Sequence, residues 1–215
     1  MSDMGATTSF HQTPAEGRRV VAFDFDGTLT IRDSFTAFLR RRAGAAGWAT
    51  GLIRMAPALA GYLRDHDRGR IKAAAVRQFL RGLERAALEA EAERFADAVW
   101  TDFMRPDALA CWDEWGRRGA HRVIVTASPE TTVAPFARRL GAENLIGTRL
   151  AFDGQDRVIG AFIGENCRGE EKMVRLRAAY GADVQVVAAY GDTSGDAQMI
   201  AAAEEKGFRV FTGRP

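Results

Sequence analysis

The chain has 215 residues, 47% of them hydrophobic, which is enough to bury one substantial core as a single domain or a domain carrying an insertion. Its 30 lysines and arginines meet 28 aspartates and glutamates, a formal charge of +2, and that balance leaves no electrostatic footprint for a nucleic-acid partner. Two cysteines, Cys111 and Cys167, lack a CxxC or CxxH spacing, which argues against zinc or a redox pair and fits two small buried residues in a reducing cytoplasm.

Residues 1–17 have neither a basic start nor an apolar run, so they do not read as a secretory signal and are expected to form a disordered tail. Residues 19–25, RVVAFDF, are β-branched and aromatic and stop at Asp26-Gly27-Thr28, the pattern of a buried strand entering a functional turn. The long stretch that follows reads as helical, with Leu88, Ala92, Phe95, Ala96, Val99 and Phe103 on one face. It is too long for a simple crossover, so a helical cap over 34–105 is expected to interrupt a core made of 18–33 and 106–215.

A second buried run, 121–125, stops at Thr126-Ala127-Ser128-Pro129, and Pro129 is placed to start a helix continuing through Leu140. Residues 150–163 hold two short apolar runs around Asp153-Gly154, a hairpin pattern for the edge of a sheet. A third run, 184–190, ends at Gly191-Asp192, where Ser194 or Asp196 is a candidate cap for a helix through Ala203; residues 208–212 form the expected last strand. Strands alternating with helices predict an α/β fold with a parallel sheet, whose ligands bind beyond the carboxyl ends of the strands.

The polar motifs fall at those ends. Asp24 and Asp26, two apart on a strand, point to the same side and can share one cation, one attacking phosphorus while the other handles the leaving-group proton. Gly27 permits a tight turn that aims backbone amides at a phosphate oxygen, and Thr28 adds a hydroxyl. Thr126 or Ser128 could merely cap the next helix. Lys172, in Gly169-Glu170-Glu171-Lys172, lies near the start of a helix with Met173, Leu176 and Tyr180 on or near its inner side. Asp192 and Asp196 add two acids after a buried strand, and four carboxylates at one sheet end would repel one another without a cation and Lys172 to balance them.

In this order, Asp24 with Asp26, Thr126, Lys172, and Asp192 with Asp196, the sequence resembles the haloacid dehalogenase superfamily over nearly the whole chain after the tail. The resemblance implies a Rossmannoid three-layer α/β/α core with a parallel sheet and an inserted C1-type helical cap. It implies a magnesium-dependent phosphatase in which Asp24 is the nucleophile that becomes an aspartyl phosphate, and Asp26 protonates the leaving oxygen and then activates water. Thr126, the amide of Ala127, Gly27, Thr28 and Lys172 would hold the phosphoryl group, and Asp24, Asp26, Asp192 and Asp196 would surround Mg2+. An acid at position 26 separates this pattern from the related dehalogenases and from the P-type ATPases.

An inserted helical cap with GEEK and GDTSGD is most similar to the branch of phosphoserine phosphatases. Thr126-Ala127-Ser128-Pro129 and Arg32 depart from it, and TASPE, residues 30–39 and the run 166–172 look more like phosphatidylglycerophosphatase C. The implied substrate is a phospholipid head-group phosphate such as phosphatidylglycerophosphate; the alternatives are a soluble metabolite phosphatase, a phosphomutase and a non-catalytic binding module. Residues 43–63 carry no acid and one base, Arg54, and are flanked by Arg40-Arg41-Arg42 and Arg64, a composition that fits either peripheral contact with an anionic membrane or a buried pair of cap helices. The expected location is the cytoplasm, with peripheral association at the inner membrane face.

Overall fold

The computed structural model describes residues 18–215; the tail expected over 1–17 lies outside the described residues. A six-stranded sheet runs in the order β4-β3-β2-β1-β5-β6. Its strands are β1 (Arg19–Phe23), β2 (His121–Pro129), β3 (Asn144–Phe152), β4 (Val158–Ile163), β5 (Gln185–Gly191) and β6 (Glu205–Phe208). β1 is central and parallel to both β2 and β5, β3 and β6 continue the parallel set, and only β4 runs antiparallel, against β3.

Period-two alternation in β1 splits the core. Val20 and Ala22 face a cluster with Leu176 and Met173, whereas Val21 and Phe23 face one with Trp112 and Phe136. The first face is covered by α7 (Glu170–Tyr180) and α8 (Ala197–Ala201), the second by α5 (Pro106–Arg117) and α6 (Glu130–Arg139). Phe23 stacks on Tyr190 at 4.5 Å between ring centroids and meets Trp112 edge-on at 5.0 Å, and the Trp112 indole donates to the Leu140 carbonyl at 2.9 Å.

The edge elements differ from the sequence reading. The last strand is Glu205–Phe208 rather than 208–212, because this edge strand buries only Gly207 and therefore has no hydrophobic signature. The hairpin at Asp153-Gly154 is present, but its first strand begins at Asn144 and pairs with β2 before it pairs with β4. Thr193 caps a tight helical turn over Ser194–Asp196 that precedes α8. Cys167 is buried and Cys111 only half-buried.

Between β1 and α5 come α1 (Ser34–Arg54), bent at Gly44 where φ is 65°, then α2 (Ala56–Asp65), α3 (Arg68–Phe79) and α4 (Arg85–Phe103). Asp33 caps α1 by accepting from the Thr36 amide at 2.6 Å. Phe38, Val76, Leu80, Leu88 and Phe95 join Trp112 and Phe136 in one buried cluster, so the inserted helices and the sheet share a core. The amide of Gly82 donates to the Val158 carbonyl, and that of Val158 to the Leu83 carbonyl, tying the insertion to β4. Residues 43–63 are not a buried helix pair: among them only Gly51 and Met55 are buried, and Ile53 and Leu63 are 75% and 74% exposed.

Candidate active site

β1 delivers Asp24 to the rim of the sheet, where its amide donates to the Tyr190 carbonyl of β5 at 2.8 Å. A tight turn over Phe25–Leu29 follows, with Gly27 at φ 83°. A side chain at Gly27 would be strained, and its Cβ would strike the Asp192 carboxylate, so glycine lets the loop after β1 close onto the loop after β5. The turn is locked by Thr30, whose hydroxyl accepts from the Gly27 amide at 3.2 Å, and by Arg105, whose guanidinium donates to the carbonyls of Gly27 and Thr30.

Lys172 comes from the first turn of α7 and is 1% exposed. Its ammonium donates to Asp24 Oδ1, Asp196 Oδ1 and the Val125 carbonyl, each at 2.6 Å, which occupies all three of its donors. Burial alone would pull its pKa down, but the Asp24 and Asp196 carboxylates hold it well above the usual lysine range. Burial pushes Asp24 up to about 7 against the attraction of Lys172. Asp196 is also subject to desolvation, yet Lys172 and the Thr193 amide keep it below the ordinary aspartate value. Asp192 is raised, by burial first and then by Asp196.

Carboxylate oxygens of Asp24, Asp192 and Asp196 lie within 4.8 Å of one another. Asp192 Oδ1 is buried with no hydrogen-bond partner, an orphaned acceptor facing hard-oxygen neighbours, and this arrangement suits a small divalent cation.

Asp26 does not share that cluster. Its carboxylate accepts from the Ser34 amide at 2.6 Å and from the Ser128 hydroxyl, so both oxygens are turned toward the start of α1 and the end of β2. A cation would therefore be held by the side chains of Asp24, Asp192 and Asp196, not by the Asp26 carboxylate expected from spacing alone. Burial and then the neighbouring Asp33 raise the Asp26 pKa, while Lys72, Ser128 and Ser34 oppose the rise.

Thr126 is fully buried and lines the cleft with Ala127, though its hydroxyl accepts from the Ser128 amide at 3.0 Å. Two further expectations change. The Gly27 amide is committed to Thr30 rather than aimed at a ligand, and Thr28 is buried away from the cleft lining with its hydroxyl unpartnered.

Sequence reasoning missed Ser128 and Ser34 as partners of Asp26, and it missed Arg105 and Arg168 as cleft residues. Ser128 had a weak signal, two residues beyond Thr126; Arg105 had none, since its role depends on the chain returning from the insertion beside Gly27.

The sequence matches the family described as haloacid dehalogenase-like hydrolase over residues 21–201. The chain belongs to the haloacid dehalogenase-like hydrolases. Protein CicA of Caulobacter vibrioides, in strains NA1000 / CB15N and ATCC 19089 / CIP 103742 / CB 15, is 56% identical over 196 residues, covering 91% of this chain and 88% of the relative. Among solved structures, a protein of unknown function from Bordetella pertussis Tohama I aligns with TM-score 0.71 at 23% identity, over 86% of each chain. A phospho-aspartyl intermediate analogue of phosphoserine phosphatase aligns with TM-score 0.55 at 21% identity, over 87% of this hydrolase and 84% of that chain. These structures confirm the haloacid dehalogenase-like α/β fold.

Proposed function

We propose that this hydrolase cleaves phosphomonoesters through an aspartyl phosphate on Asp24, with Mg2+ as cofactor. The observation that carries the reading is the buried ammonium of Lys172 held at 2.6 Å from both Asp24 and Asp196 on the floor of an open cleft. Two acids fixed on one amine, with Asp192 and Asp26 beside them in the cleft, fit a reaction whose cost is the placement and neutralisation of phosphoryl charge. Asp24 attacks phosphorus, the bond to the leaving oxygen breaks, and Asp26 gives that oxygen its proton. Asp26, now ionised, takes a proton from water, which attacks the aspartyl phosphate and returns Asp24 and inorganic phosphate. Mg2+ held by Asp24, Asp192 and Asp196 would neutralise phosphoryl oxygens during transfer. Lys172 would offset the charge of the transferring group, with Thr126 lining the cleft beside it.

The test is Asp24→Asn. Phosphate release from an aryl phosphate should fall by on the order of 10³-fold or more with the fold intact by circular dichroism. Undiminished turnover would remove Asp24 as the nucleophile.

The favoured substrate is a phospholipid head-group phosphate, with phosphatidylglycerophosphate as the type. The exposed apolar side chains of Ile53 and Leu63, on an acid-free stretch bordered by arginines, favour work at an anionic lipid surface. No helix among the described residues is long and apolar enough to cross a membrane, so contact would be peripheral. Co-sedimentation with anionic vesicles and turnover of lipid phosphate in them test this. Efficient hydrolysis of a soluble metabolite phosphate by protein that ignores such vesicles would favour the soluble alternative.

A further inference from the structure

The cleft, about 330 Å3 in volume, has Asp24, Asp196 and Lys172 buried at its floor and is lined as well by a second, more exposed set of cations. These are Arg32, Arg68, Lys72, Arg105 and Arg168. Two have structural explanations: Arg105 donates to the carbonyls of Gly27, Thr30 and Gly213, and Arg32 lies 4.9 Å over the Phe103 ring.

The other three have no carboxylate within ion-pair distance among the described residues. Lys72 donates to the Ala127 carbonyl at 3.2 Å and the Ser128 hydroxyl at 3.3 Å. Arg168 donates to the Thr193 and Ser194 hydroxyls, and Gly195 is glycine where a Cβ would strike this guanidinium. Arg68 opens α3 one turn before Lys72, so the two share a helix face, and it is exposed. Asp33, the one acid of the cleft lining outside the floor and Asp26, already accepts from the Thr36 amide.

The charge of a transferred phosphoryl group is met on the floor by Lys172 and the cation that the acids there can hold. Three additional cations, none in an ion pair among the described residues and only Lys72 near enough to Asp26 to act on its charge, exceed what a single phosphomonoester needs. Fixed positive groups converging on a cleft from two sides select a ligand with negative charge at that height, and guanidinium forks suit tetrahedral phosphate oxygens.

We propose that Arg68, Lys72 and Arg168 form a second anion subsite that binds a non-transferred phosphate of the substrate, a phosphodiester or second phosphomonoester, while the scissile group lies on Asp24. The inference rests on the phosphatase reading and narrows it to substrates with two phosphate groups a few bonds apart. A phosphodiester would come from a lipid head group, and a second monoester from a soluble bisphosphate.

Steady-state kinetics with Mg2+ on the full chain test it with three probes. They are p-nitrophenyl phosphate with one anion, fructose 1,6-bisphosphate with two soluble ones, and short-chain phosphatidylglycerophosphate with a monoester and a diester. Wild type should show kcat/KM at least about 10-fold higher for one two-phosphate probe than for the aryl phosphate. Which probe wins identifies the source of the second anion. In the Arg68→Gln, Arg168→Gln double variant that ratio should fall about 10- to 100-fold, mainly through KM, and Arg68→Lys alone should keep most of it. The ratio in the single Arg68→Gln variant gives the same reading from a surface position if the double variant does not fold. Wild-type turnover of the aryl phosphate with no preference for either two-phosphate probe would overturn the subsite and leave the phosphatase reading standing. Equal losses on all probes in the variants would also overturn it. No phosphate release from any probe would bring down the phosphatase reading itself.

Discussion

At the carboxyl ends of β1, β2 and β5, charge is buried and held in place: Lys172 is 1% exposed, and each of its donors is paired. On α1–α3 the reverse holds, with Ile53 and Leu63 about three-quarters exposed and Arg68 exposed, in no ion pair among the described residues. The floor derives its geometry from strand ends locked by the core, so its groups are preorganised for one reaction. The outer helices instead expose Ile53 and Leu63, apolar side chains that the fold does not cover.

The largest expected effect falls on the floor. Lys172→Met leaves Asp24 and Asp196 buried beside each other without a counter-charge, and should cost about 3–5 kcal/mol in urea denaturation as well as activity. Saturating Mg2+ should recover part of that stability, since a cation bound to the folded state takes over some of the neutralisation. A loss below about 1 kcal/mol would mean that the floor is less sealed than its burial implies.

Leu88→Ala probes the opposite side of the comparison. Leu88 is fully buried where α4 joins the common cluster, and its truncation should cost about 2–5 kcal/mol. If the insertion were a loosely attached lid, the cost measured in the global unfolding transition would be far smaller.

The floor was far easier to read from sequence than the insertion. Continuous apolar runs ending in Asp-x-Asp-Gly-Thr or Gly-Asp announce buried parallel strands and their functional turns, because a strand covered on both faces must be apolar throughout. Asn144-Leu145-Ile146-Gly147-Thr148 escaped because its polar ends and glycine break that run, although Gly147 is required where a Cβ would press on the Ser128 carbonyl and Glu130. The partners of Asp26 escaped for another reason. Ser34 and Ser128 are 8 and 102 positions away, and only the tertiary fold brings them to one carboxylate. In the insertion, alanine- and glycine-rich helices predict helix but not which face is covered, so residues 43–63 fitted burial and exposure equally well.

Ile53→Ser is the sharp counterpart of Leu88→Ala. At 75% exposure it should change stability by less than about 0.5 kcal/mol. Paired with Leu63→Ser, it should nevertheless reduce co-sedimentation with anionic vesicles; unchanged sedimentation would show that these side chains do not meet lipid.

The smallest effect concerns Asp107, a half-buried acid that stands between the two regimes. Partial burial would raise its pKa, but the amides of Gly213, Thr212 and Ala108 outweigh that and hold it below the usual carboxylate range. A folded-state pKa below the unfolded value means that the contribution is fully present above the unfolded pKa of about 3.9 and is lost as pH falls through the folded one. Asp107→Ala should therefore lower the denaturation midpoint by a constant small amount from pH 8 to pH 5, with the gap to wild type closing below about pH 4. A gap that persists unchanged into acid would assign the effect to lost packing at the start of α5 and not to the charge that ties the chain end to it.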